Sequence, residues 1–507
     1  RDVKEVRSGG YLLFDSTWPL AESLLRSDVT FLGVPFAQLC IEHFREPRER
    51  TLMKNIAYTG SLIALLEIEL GVVEELLQET YGKKKALLES NHKALKLGYD
   101  FAKQNFTCPL PFRVERMSAN ADKILIDGNT ATALGALYAG CTVAAWYPIT
   151  PATSVMESFK SLCERYRKDP QTGKNNFAIL QAEDELAAIG IVIGASWAGA
   201  RAFTSTAGPG VSLMNEFLGL AYYAEIPAVL VDVQRVGPST GMPTRTQQAD
   251  LLSSAYASHG DTKHILLFPA NPAECFEFAV ASFDLAEKFQ TPVILLSDLD
   301  IGMNDWVVPR LTWNDSYRPE RGRVLSPEQI EKLGHFHRYA DEDEYFVTPR
   351  TLPGFSGKGA YLTRGSGHNR LGGYTELPEE YQAVVDRLAE KHRAAAAFVP
   401  PAVVDVSRSS KAKGKGKVPF SLVTLGGCDA AVREALDLLA ERGIHGDYMR
   451  IRGFPFGAEV EAFLNAHEIN YIVEQNRDSQ LKSLITLETG VSKERLKSLL
   501  YYGGFPL

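Results

Sequence analysis

Two short runs in the middle of the chain constrain its fold more than any other feature: Trp146-Tyr147-Pro148-Ile149-Thr150-Pro151 and Leu180-Gln181-Ala182-Glu183-Asp184-Glu185. The first is the end of an apolar strand that stops at two prolines, with a threonine at its tip. The second is a strand end that turns into a helix beginning with three acids. Open α/β sheets bind ligands at the carboxyl ends of their strands. The two runs therefore predict a hydroxyl and a carboxylate at the ligand-binding edge of such a sheet.

Strands alternate with helices along most of the chain, which predicts a multidomain α/β fold built on a mainly parallel sheet with helices on both faces. The helices expected in the central part are 130–138, 187–200 and 211–223. The strands expected there are 124–127, 142–146, 178–180, 202–206, 228–233 and 292–297. The first ~110 residues alternate in the same way. They hold a strand at 29–34 and helices at 55–70, 72–80 and 84–104.

Shifts in composition predict four domains, at 1–112, 117–308, 309–417 and 418–507. The run Thr107-Cys108-Pro109-Leu110-Pro111 is a linker candidate after the first of them. The third stretch is expected to be irregular, with one helix at 377–397, and it ends in a basic Gly/Ser-rich segment, 407–417. Such a segment favours a solvated mobile linker over an anion site. The last stretch is expected to be a small α/β domain.

The overall composition excludes several function classes. The formal net charge of -8 disfavours nucleic acid and anionic membranes as partners. No transmembrane span is expected, because the apolar stretch 187–200 is too short. No two of the six cysteines have metal-ligand spacing, so no zinc or iron–sulfur site of the chain's own is expected. Sparse cysteines favour a reducing, cytoplasmic location. Because the sequence starts at Arg1 without a Met, it is expected to be a fragment or a partly ordered product.

Glu183 is the first candidate for chemistry. A carboxylate at a helix start, where backbone N–H groups favour negative charge, can hydrogen-bond a ring nitrogen of a bound heterocycle. Acids at helix N-termini are also common without any such function. Successive residues lie about 100° apart around a helix, so three consecutive acids cannot all face one ligand. Asp184 and Glu185 are therefore interpreted as helix-start residues.

A second group of candidates follows two other strands. Thr150 precedes a proline, which favours an extended backbone, although an ordinary loop threonine is the alternative. Arg235 follows the strand 228–233 and can bind a carboxylate bidentately, with a surface ion pair as the alternative. Thr244 and Arg245 lie in the same loop. The run 205–210 (STAGPG) could present N–H groups to an anion, but one Gly-Pro-Gly turn is weak support.

Several nucleotide and protease motifs are absent from the sequence. There is no GxGxxG and no GxxxxGK[ST], so neither a nicotinamide-binding fold nor a P-loop is supported. HExxH is also absent.

Four segments in order carry a more specific signal, namely YPITP, QAEDELAA, TSTAGPGVSLM and QRVGPSTGMPTRTQQADL. In this order and span they resemble the α subunit of the 2-oxoacid:ferredoxin oxidoreductases. The similarity continues through 264–300, 420–455 and 471–476. The first ~110 residues, with MKNIAYTGSLIALL, resemble the latter part of the γ subunit of the same enzymes, without the glycine turn at which that subunit usually begins. A γ-like segment fused to an α-like segment, together with the run STGMPTRTQQADL, looks most like the 2-oxoglutarate type of these enzymes.

The resemblance implies a thiamine diphosphate enzyme that cleaves a 2-oxoacid with coenzyme A and passes electrons through iron–sulfur clusters to ferredoxin. Glu183 matches the family's glutamate against the pyrimidine ring, and Tyr147, Pro148, Ile149 and Thr150 form the matching cofactor-binding run. The diphosphate half of the site needs a Gly-Asp-Gly motif, which this chain lacks. The resemblance therefore places Mg²⁺ and a [4Fe–4S] cluster on a β subunit, with a dimer of αβ heterodimers as the expected assembly.

The resemblance also implies roles in substrate binding. Arg235 matches the arginine that binds the C1 carboxylate of the 2-oxoacid, and Thr150 and Thr244 match threonines near the substrate. For the second carboxylate of 2-oxoglutarate, Arg245 and Arg452 are candidates, and His259 and His368 are weaker ones because a lone histidine is more often structural.

Four alternatives to the 2-oxoglutarate reaction stay open. They are the same chemistry on pyruvate, the same chemistry on a branched-chain 2-oxoacid, a non-catalytic scaffold subunit, and an unrelated thiamine enzyme of the transketolase or dehydrogenase type.

Overall fold

The computed structural model describes residues 2–407 and 418–507. The chain forms two compact units, Arg1–Ala121 and Asp122–Leu507. The finer division into four domains stays a prediction. The predicted basic linker falls, from residue 408 to 417, outside the described residues.

The first unit is built from a two-stranded parallel sheet and a set of helices. Its elements are α1 (Asp2–Glu5), β1 (Tyr11–Asp15), β2 (Thr30–Val34), α2 (Phe36–His43), α3 (Pro47–Leu66), α4 (Leu70–Tyr81) and α5 (Lys85–Asn105). β1 pairs with β2 in register Tyr11 to Thr30. The predicted strand at 29–34 is confirmed, and β1 is an additional strand. The helix predicted at 55–70 begins eight residues earlier and ends at Leu66.

Two glycines let α3 and α5 pack backbone against backbone. A Cβ on Gly98 would lie 1.8 Å from the carbonyl oxygen of Ala57, and one on Gly60 would lie 2.0 Å from that of Leu95. The hydroxyl of Ser61 donates to the carbonyl of Gly98 at 2.9 Å. No side chain larger than hydrogen fits at either glycine without separating the helices.

A pair of glycine-to-alanine changes tests this packing. Gly98→Ala is expected to destabilise the chain by about 2 kcal/mol, because the added methyl overpacks the interface. Gly71→Ala, in α4, places the same methyl in open space. This control is expected to be neutral or stabilising by up to about 1 kcal/mol. Thermal unfolding followed by circular dichroism measures both, and equal shifts in Tm would contradict the close approach.

The second unit contains the remaining elements. Its strands are β3 (Lys123–Ile126), β4 (Val143–Trp146), β5 (Ala178–Gln181), β6 (Ala202–Thr206), β7 (Ala228–Gln234), β8 (Ile265–Leu267), β9 (Pro292–Asp298), β10 (Trp306–Pro309), β11 (Val403–Asp405), β12 (Val418–Leu425), β13 (Asp447–Ile451), β14 (Gly453–Phe454), β15 (His467–Glu474) and β16 (Leu496–Leu500). Its helices are α6 (Gly128–Tyr138), α7 (Thr153–Tyr166), α8 (Glu185–Trp197), α9 (Gly208–Leu213), α10 (Asn215–Tyr223), α11 (Leu251–Ala255), α12 (Pro272–Phe289), α13 (Leu299–Met303), α14 (Pro327–Lys332), α15 (Pro378–Ala394), α16 (Asp429–Glu441), α17 (Ala458–Ala466) and α18 (Gln480–Glu488).

The main sheet has seven strands in the order β5-β4-β6-β7-β9-β8-β14. All neighbours are parallel except β14, which runs antiparallel to β8. Every residue of β6, β7 and β9 is buried, as central parallel strands covered by helices on both faces require. On β7, Leu230 belongs to the core cluster that contains α8, while Val229 and Val231 belong to the cluster that contains α7 and α12. The predicted α/β fold class is confirmed.

The strand order also identifies where the sheet opens. From β4 the chain forms β5 on one side and then returns to form β6 on the other side of β4. This reversal is a topological switch point, at which parallel α/β sheets bind ligands beyond the carboxyl ends of the strands. The run that ends in Thr150 follows β4 directly.

A second sheet of five strands has the order β11-β13-β12-β15-β16, with β11 antiparallel and the other strands parallel.

The prediction of a single helix in the stretch 309–417 is wrong, because this stretch contains α14 and α15 and contributes β11 to the second sheet. α14 carries a capping box between Ser326 and Gln329 that was readable from the sequence. The helix predicted at 211–223 is divided at Met214 into α9 and α10.

The apolar helix α8 packs in the core, as predicted, with Ala188, Ile189 and Val192 fully buried. Among the described residues, no helix combines the length and the hydropathy needed to cross a bilayer.

Candidate active site

The two sequence runs lie side by side at the carboxyl edge of the main sheet. Trp146, the last residue of β4, is paired with Gln181, the last residue of β5. The N–H of Ala182 donates to the carbonyl of Trp146 at 2.8 Å. The segment from Tyr147 to Pro151 therefore leaves the sheet beside Glu183, as the sequence predicts.

The three acids after β5 have three different environments. Glu183 is exposed, and its carboxylate has no hydrogen-bond or ion-pair partner among the described residues. Asp184 is the N-cap of α8 and accepts from the N–H of Ala187 at 2.7 Å. Glu185 is buried in the first turn. Glu183 directly precedes the N-cap, so the backbone N–H at the helix start is bound by Asp184. Glu183 is left free for a ligand.

Arg235 joins the end of β7 to the loop after β4. Its Nη1 donates to the carbonyl oxygen of Thr150 at 2.6 Å, and the side chain is almost completely buried. Its Nε–H has no partner among the described residues. Burial lowers the pKa of Arg235 from its usual value. The alternative of a surface ion pair is wrong. A buried guanidinium with an unused donor instead favours an anionic ligand.

The loop 236–250 folds back on itself after Arg235. The N–H of Val236 donates to the carbonyl of Arg245, and the N–H of Met242 donates to the carbonyl of Val236, both at 3.0 Å. A Cβ on Gly241 would lie 1.7 Å from the carbonyl oxygen of Val236, so the tight turn requires glycine. Thr244 is exposed, and Arg245 Nη1 donates to its carbonyl oxygen at 2.8 Å.

Gln248 fastens this loop to the second sheet. Its backbone N–H donates to Gln475 at 2.9 Å, and its carbonyl accepts from the side chain of Asn476 at 2.9 Å. Its side chain donates to the carbonyl of Leu425 at 3.2 Å. Leu425 ends β12, and Gln475 directly follows β15. The loop therefore lies between the carboxyl edges of the two sheets.

Two buried carboxyls hold the other end of the loop to β7. Asp232 is fully buried on β7, and neither of its oxygens has an ordinary donor among the described residues. Burial, and then the neighbouring Asp250 carboxyl, hold the pKa of Asp232 well above its usual range. Burial raises the pKa of Asp250 to about 6. We therefore expect the pair to hold one proton between them near neutral pH. The Asp250 carboxyl lies against Gly208, which explains why that position has no side chain.

The remaining candidates have structural partners or lie elsewhere. Arg452 pairs with Glu274 at 3.1 Å. His368 is fully buried and stacks on Tyr339 with ring centroids 4.0 Å apart, and burial lowers its pKa to about 4. His259 lines a separate cavity of about 780 Å³, which Thr150, Glu183 and Arg235 do not line.

The described residues contain no group of three or more His, Cys, Asp or Glu side chains arranged to hold a metal ion. All six cysteines are unpaired.

Comparison with known proteins shows what this arrangement belongs to. Residues 134–319 match the family model described as "Pyruvate flavodoxin/ferredoxin oxidoreductase, thiamine diP-bdg". Residues 1–101 match the model "Pyruvate ferredoxin/flavodoxin oxidoreductase". The 2-oxoacid:ferredoxin oxidoreductase 2 subunit alpha of Aeropyrum pernix is 31% identical over 98% of this chain and 78% of its own length. The chain belongs to this family of α subunits.

Two further similarities concern one branch of the 2-oxoacid:ferredoxin oxidoreductases. The 2-oxoglutarate synthase subunit KorA of Methanothermobacter thermautotrophicus is 32% identical over 74% of this chain and 93% of its own length. The structure of the 2-oxoglutarate:ferredoxin oxidoreductase from Magnetococcus marinus, with 2-oxoglutarate, coenzyme A and succinyl-CoA bound, superimposes with a TM-score of 0.82 at 28% identity. The superposition covers 99% of this chain and 83% of that one. The family resemblance read from the sequence is confirmed.

The sheet edge fits the pyrimidine half of thiamine diphosphate. Glu183 offers an unpaired carboxylate, and Tyr147 and Ile149 offer apolar surface next to it. The thiamine-binding family model spans these residues. The second half of such a site needs oxygen ligands for a divalent cation, and the described residues form no such cluster. The donors among the described residues are therefore compatible with one half of the cofactor.

Sequence reasoning missed Asp232, Gln248 and Asp250 as structural supports of the site. A charged residue inside the apolar strand Ala228–Gln234 was a readable signal for Asp232, because buried carboxyls need a partner.

The shared proton predicts how stability depends on pH. Both pKa values are raised in the folded chain, so the pair's contribution is complete only below the unfolded-state pKa of about 4 and is lost as pH rises from there through the folded-state values. Asp232→Asn should therefore match the wild-type Tm only near pH 4. Near pH 8 the variant should be more stable, by on the order of 2–3 kcal/mol. Melting curves between pH 4 and 8 measure this, with the exposed Asp305→Asn as control. Parallel curves for Asp232→Asn and wild type would contradict the shared proton.

Proposed function

We propose that this chain is the α subunit of a 2-oxoglutarate:ferredoxin oxidoreductase. The reaction is the oxidative cleavage of 2-oxoglutarate with coenzyme A to succinyl-CoA and CO₂, with two electrons passed to ferredoxin, or the reverse carboxylation. One observation carries the proposal. An unpaired carboxylate, Glu183, and a buried guanidinium, Arg235, lie at the switch-point edge of a sheet in a chain of this family. The KorA relatives and the Magnetococcus marinus structure favour 2-oxoglutarate as substrate.

Glu183 is proposed to hydrogen-bond a pyrimidine ring nitrogen of thiamine diphosphate and to hold a proton there, with Tyr147, Pro148, Ile149 and Thr150 as the adjoining wall. When bound, the cofactor supplies the electron sink for decarboxylation. The absence of another partner for Glu183 among the described residues supports this role, since a carboxylate already engaged in an ion pair would bind the ring weakly.

A partner subunit is proposed to complete the site. The chain contains no Gly-Asp-Gly, so the diphosphate, Mg²⁺ and a [4Fe–4S] cluster are assigned to a β subunit, which also passes electrons to ferredoxin. The exposed position of Glu183 fits a site that a second chain covers. A dimer of αβ heterodimers is the proposed assembly.

The two ends of the substrate are assigned to two arginines. Arg235 is proposed to bind the C1 carboxylate near the hydroxyl of Thr150. The guanidinium of Arg235 already donates a hydrogen bond to the carbonyl oxygen of Thr150. Thr244 and Arg245 are proposed to meet the second carboxylate. Their loop is tied to Arg235 through the hydrogen bond between Val236 and Arg245. A second cation on the same loop is what a dicarboxylate needs and a monocarboxylate such as pyruvate does not.

The direct test is dye reduction by the chain together with its β subunit, using coenzyme A and a panel of 2-oxoglutarate, pyruvate and a branched-chain 2-oxoacid. The proposal expects 2-oxoglutarate to have the highest kcat/KM. A higher kcat/KM for pyruvate would refute the substrate assignment, and inactivity with every 2-oxoacid in a cofactor-loaded complex would refute the enzyme itself.

Glu183→Gln is expected to lower turnover at least a hundredfold. The neutral amide carries no negative charge and cannot exchange a proton with the ring nitrogen. Assembly with the β subunit should be unchanged, since Glu183 is exposed and unpaired. The measurement is kcat of the purified complex. Glu157→Gln, an exposed acid on α7, is the control and should retain full activity. A Glu183→Gln complex with near-normal kcat would remove Glu183 from this role.

Arg235→Ala is expected to raise KM for the 2-oxoacid at least tenfold, because the charged partner of the C1 carboxylate is lost. KM for coenzyme A, measured in the same variant, is the internal control and should change little. Arg235→Lys keeps the charge but cannot bind a carboxylate bidentately, so it should give an intermediate KM. Equal increases of both KM values in Arg235→Ala would indicate a collapsed site instead of a lost contact.

A further inference from the structure

Residues 501–507 reach from the second sheet to the loop that carries Arg245. The segment continues β16, and the N–H of Tyr501 donates to the carbonyl of Glu474 at 3.2 Å. Further along, the carbonyl of Gly504 accepts from the N–H of Thr246 at 3.2 Å. The segment is thus attached at one end to the sheet and at the other to the loop.

Gly504 allows the segment to lie directly against Arg245. Its φ of +80° is in the region that favours glycine, and a Cβ there would lie 3.1 Å from the Cβ of Arg245 and 3.2 Å from the Cε of Met242. The next residue, Phe505, places its ring under the guanidinium, with the Cζ of Arg245 4.8 Å from the ring centroid. This distance is within the range of a cation–π contact.

Arg245 is therefore held from two sides without being neutralised. Its Nη1 donates to the carbonyl of Thr244 at 2.8 Å, and Phe505 covers one face of the guanidinium. No carboxylate among the described residues forms an ion pair with it, so the positive charge and the remaining N–H donors stay available. A free arginine side chain loses rotamer entropy when a ligand fixes it. Contacts that fix it before binding remove part of this cost from ligand binding.

We propose that Gly504 and Phe505 are specificity-determining positioning residues: they orient Arg245 to take the far carboxylate of a dicarboxylic 2-oxoacid. The inference rests on the proposed function, since it requires Arg235 to bind the C1 carboxylate of the same molecule. Selectivity for a dicarboxylate over a monocarboxylate of equal length then depends on a segment more than 250 residues away in sequence from the loop that it supports.

The test compares two substrates of the same carbon chain, 2-oxoglutarate and 2-oxopentanoate, which lacks the second carboxylate. The complex with the β subunit is assayed as wild type, Phe505→Ala, Phe505→Tyr and Arg245→Gln. Phe505→Ala should lower kcat/KM for 2-oxoglutarate about fivefold, through KM and not kcat, and leave 2-oxopentanoate unchanged. Phe505→Tyr, which keeps the aromatic face, should restore the wild-type ratio. The exposed Phe355→Ala is the control for loss of a surface ring.

A double variant separates positioning from a general effect on the fold. Arg245→Gln alone should lower the preference for 2-oxoglutarate, and adding Phe505→Ala should lower it no further, because both changes remove the same interaction. Equal losses on both substrates in Phe505→Ala would overturn the inference. If Arg245→Gln changed the preference and Phe505→Ala did not, the proposed function would stand and the positioning role would fall.

A readout independent of turnover tests the attachment itself. Trypsin can cut after Arg245 only when the loop leaves the segment, so Phe505→Ala should speed that cleavage several-fold relative to wild type and Phe355→Ala. Unchanged cleavage would overturn the inference even in a complex that does not use 2-oxoglutarate. Faster cleavage with no 2-oxoglutarate activity in wild type would support the attachment and refute the substrate assignment.

Discussion

One buried glutamine fixes the geometry on which the site depends. Gln248 is 1% exposed and uses its backbone N–H, its carbonyl and its side chain to bind residues at the carboxyl ends of β12 and β15. These bonds bring the second sheet against the loop that follows β7. Burying an amide is favourable only when its polar groups are satisfied, and removing one such residue would leave several partners unpaired. These hydrogen bonds therefore fix the position of the loop relative to the second sheet.

The rest of the site follows from this attachment. The loop begins next to Arg235, which reaches to the carbonyl of Thr150. It ends at Asp250, whose carboxyl, together with burial, raises the pKa of Asp232 on β7. Between these points, Thr246 is bonded to Gly504. Residues from distant parts of the second unit thus surround one loop at the edge of the main sheet. Glu183, in contrast, has no partner among the described residues, which supports the cofactor role proposed for it.

The sequence predicted the parts of this site that depend on local pattern. The strands ending at Trp146 and Gln181 were recognisable from apolar runs that stop at prolines or acids, and their adjacency follows from parallel α/β topology. Asp184 and Glu185 were interpreted as helix-start residues, and they are the N-cap and the first residue of α8. Which of the two caps the helix depends on cap geometry that letters alone do not show. The strand at Val403–Asp405 was missed, because three residues carry too little periodicity to be distinguished from loop.

The supports of the site could not have been found in this way. Gln248 bonds to residues about 180 and 230 positions away, and Phe505 lies 260 residues from Arg245. Such contacts depend on how two sheets meet, and nothing in the local sequence around a glutamine or a phenylalanine indicates its distant partner.

We propose that this chain supplies one half of a thiamine diphosphate site and that a second subunit supplies the other. Isothermal titration calorimetry of thiamine diphosphate with Mg²⁺ tests it most directly, first on the isolated chain and then on its complex with the β subunit. We expect no measurable binding to the chain alone and one cofactor per αβ pair in the complex. Stoichiometric binding to the isolated chain, with the same Kd as in the complex, would contradict it.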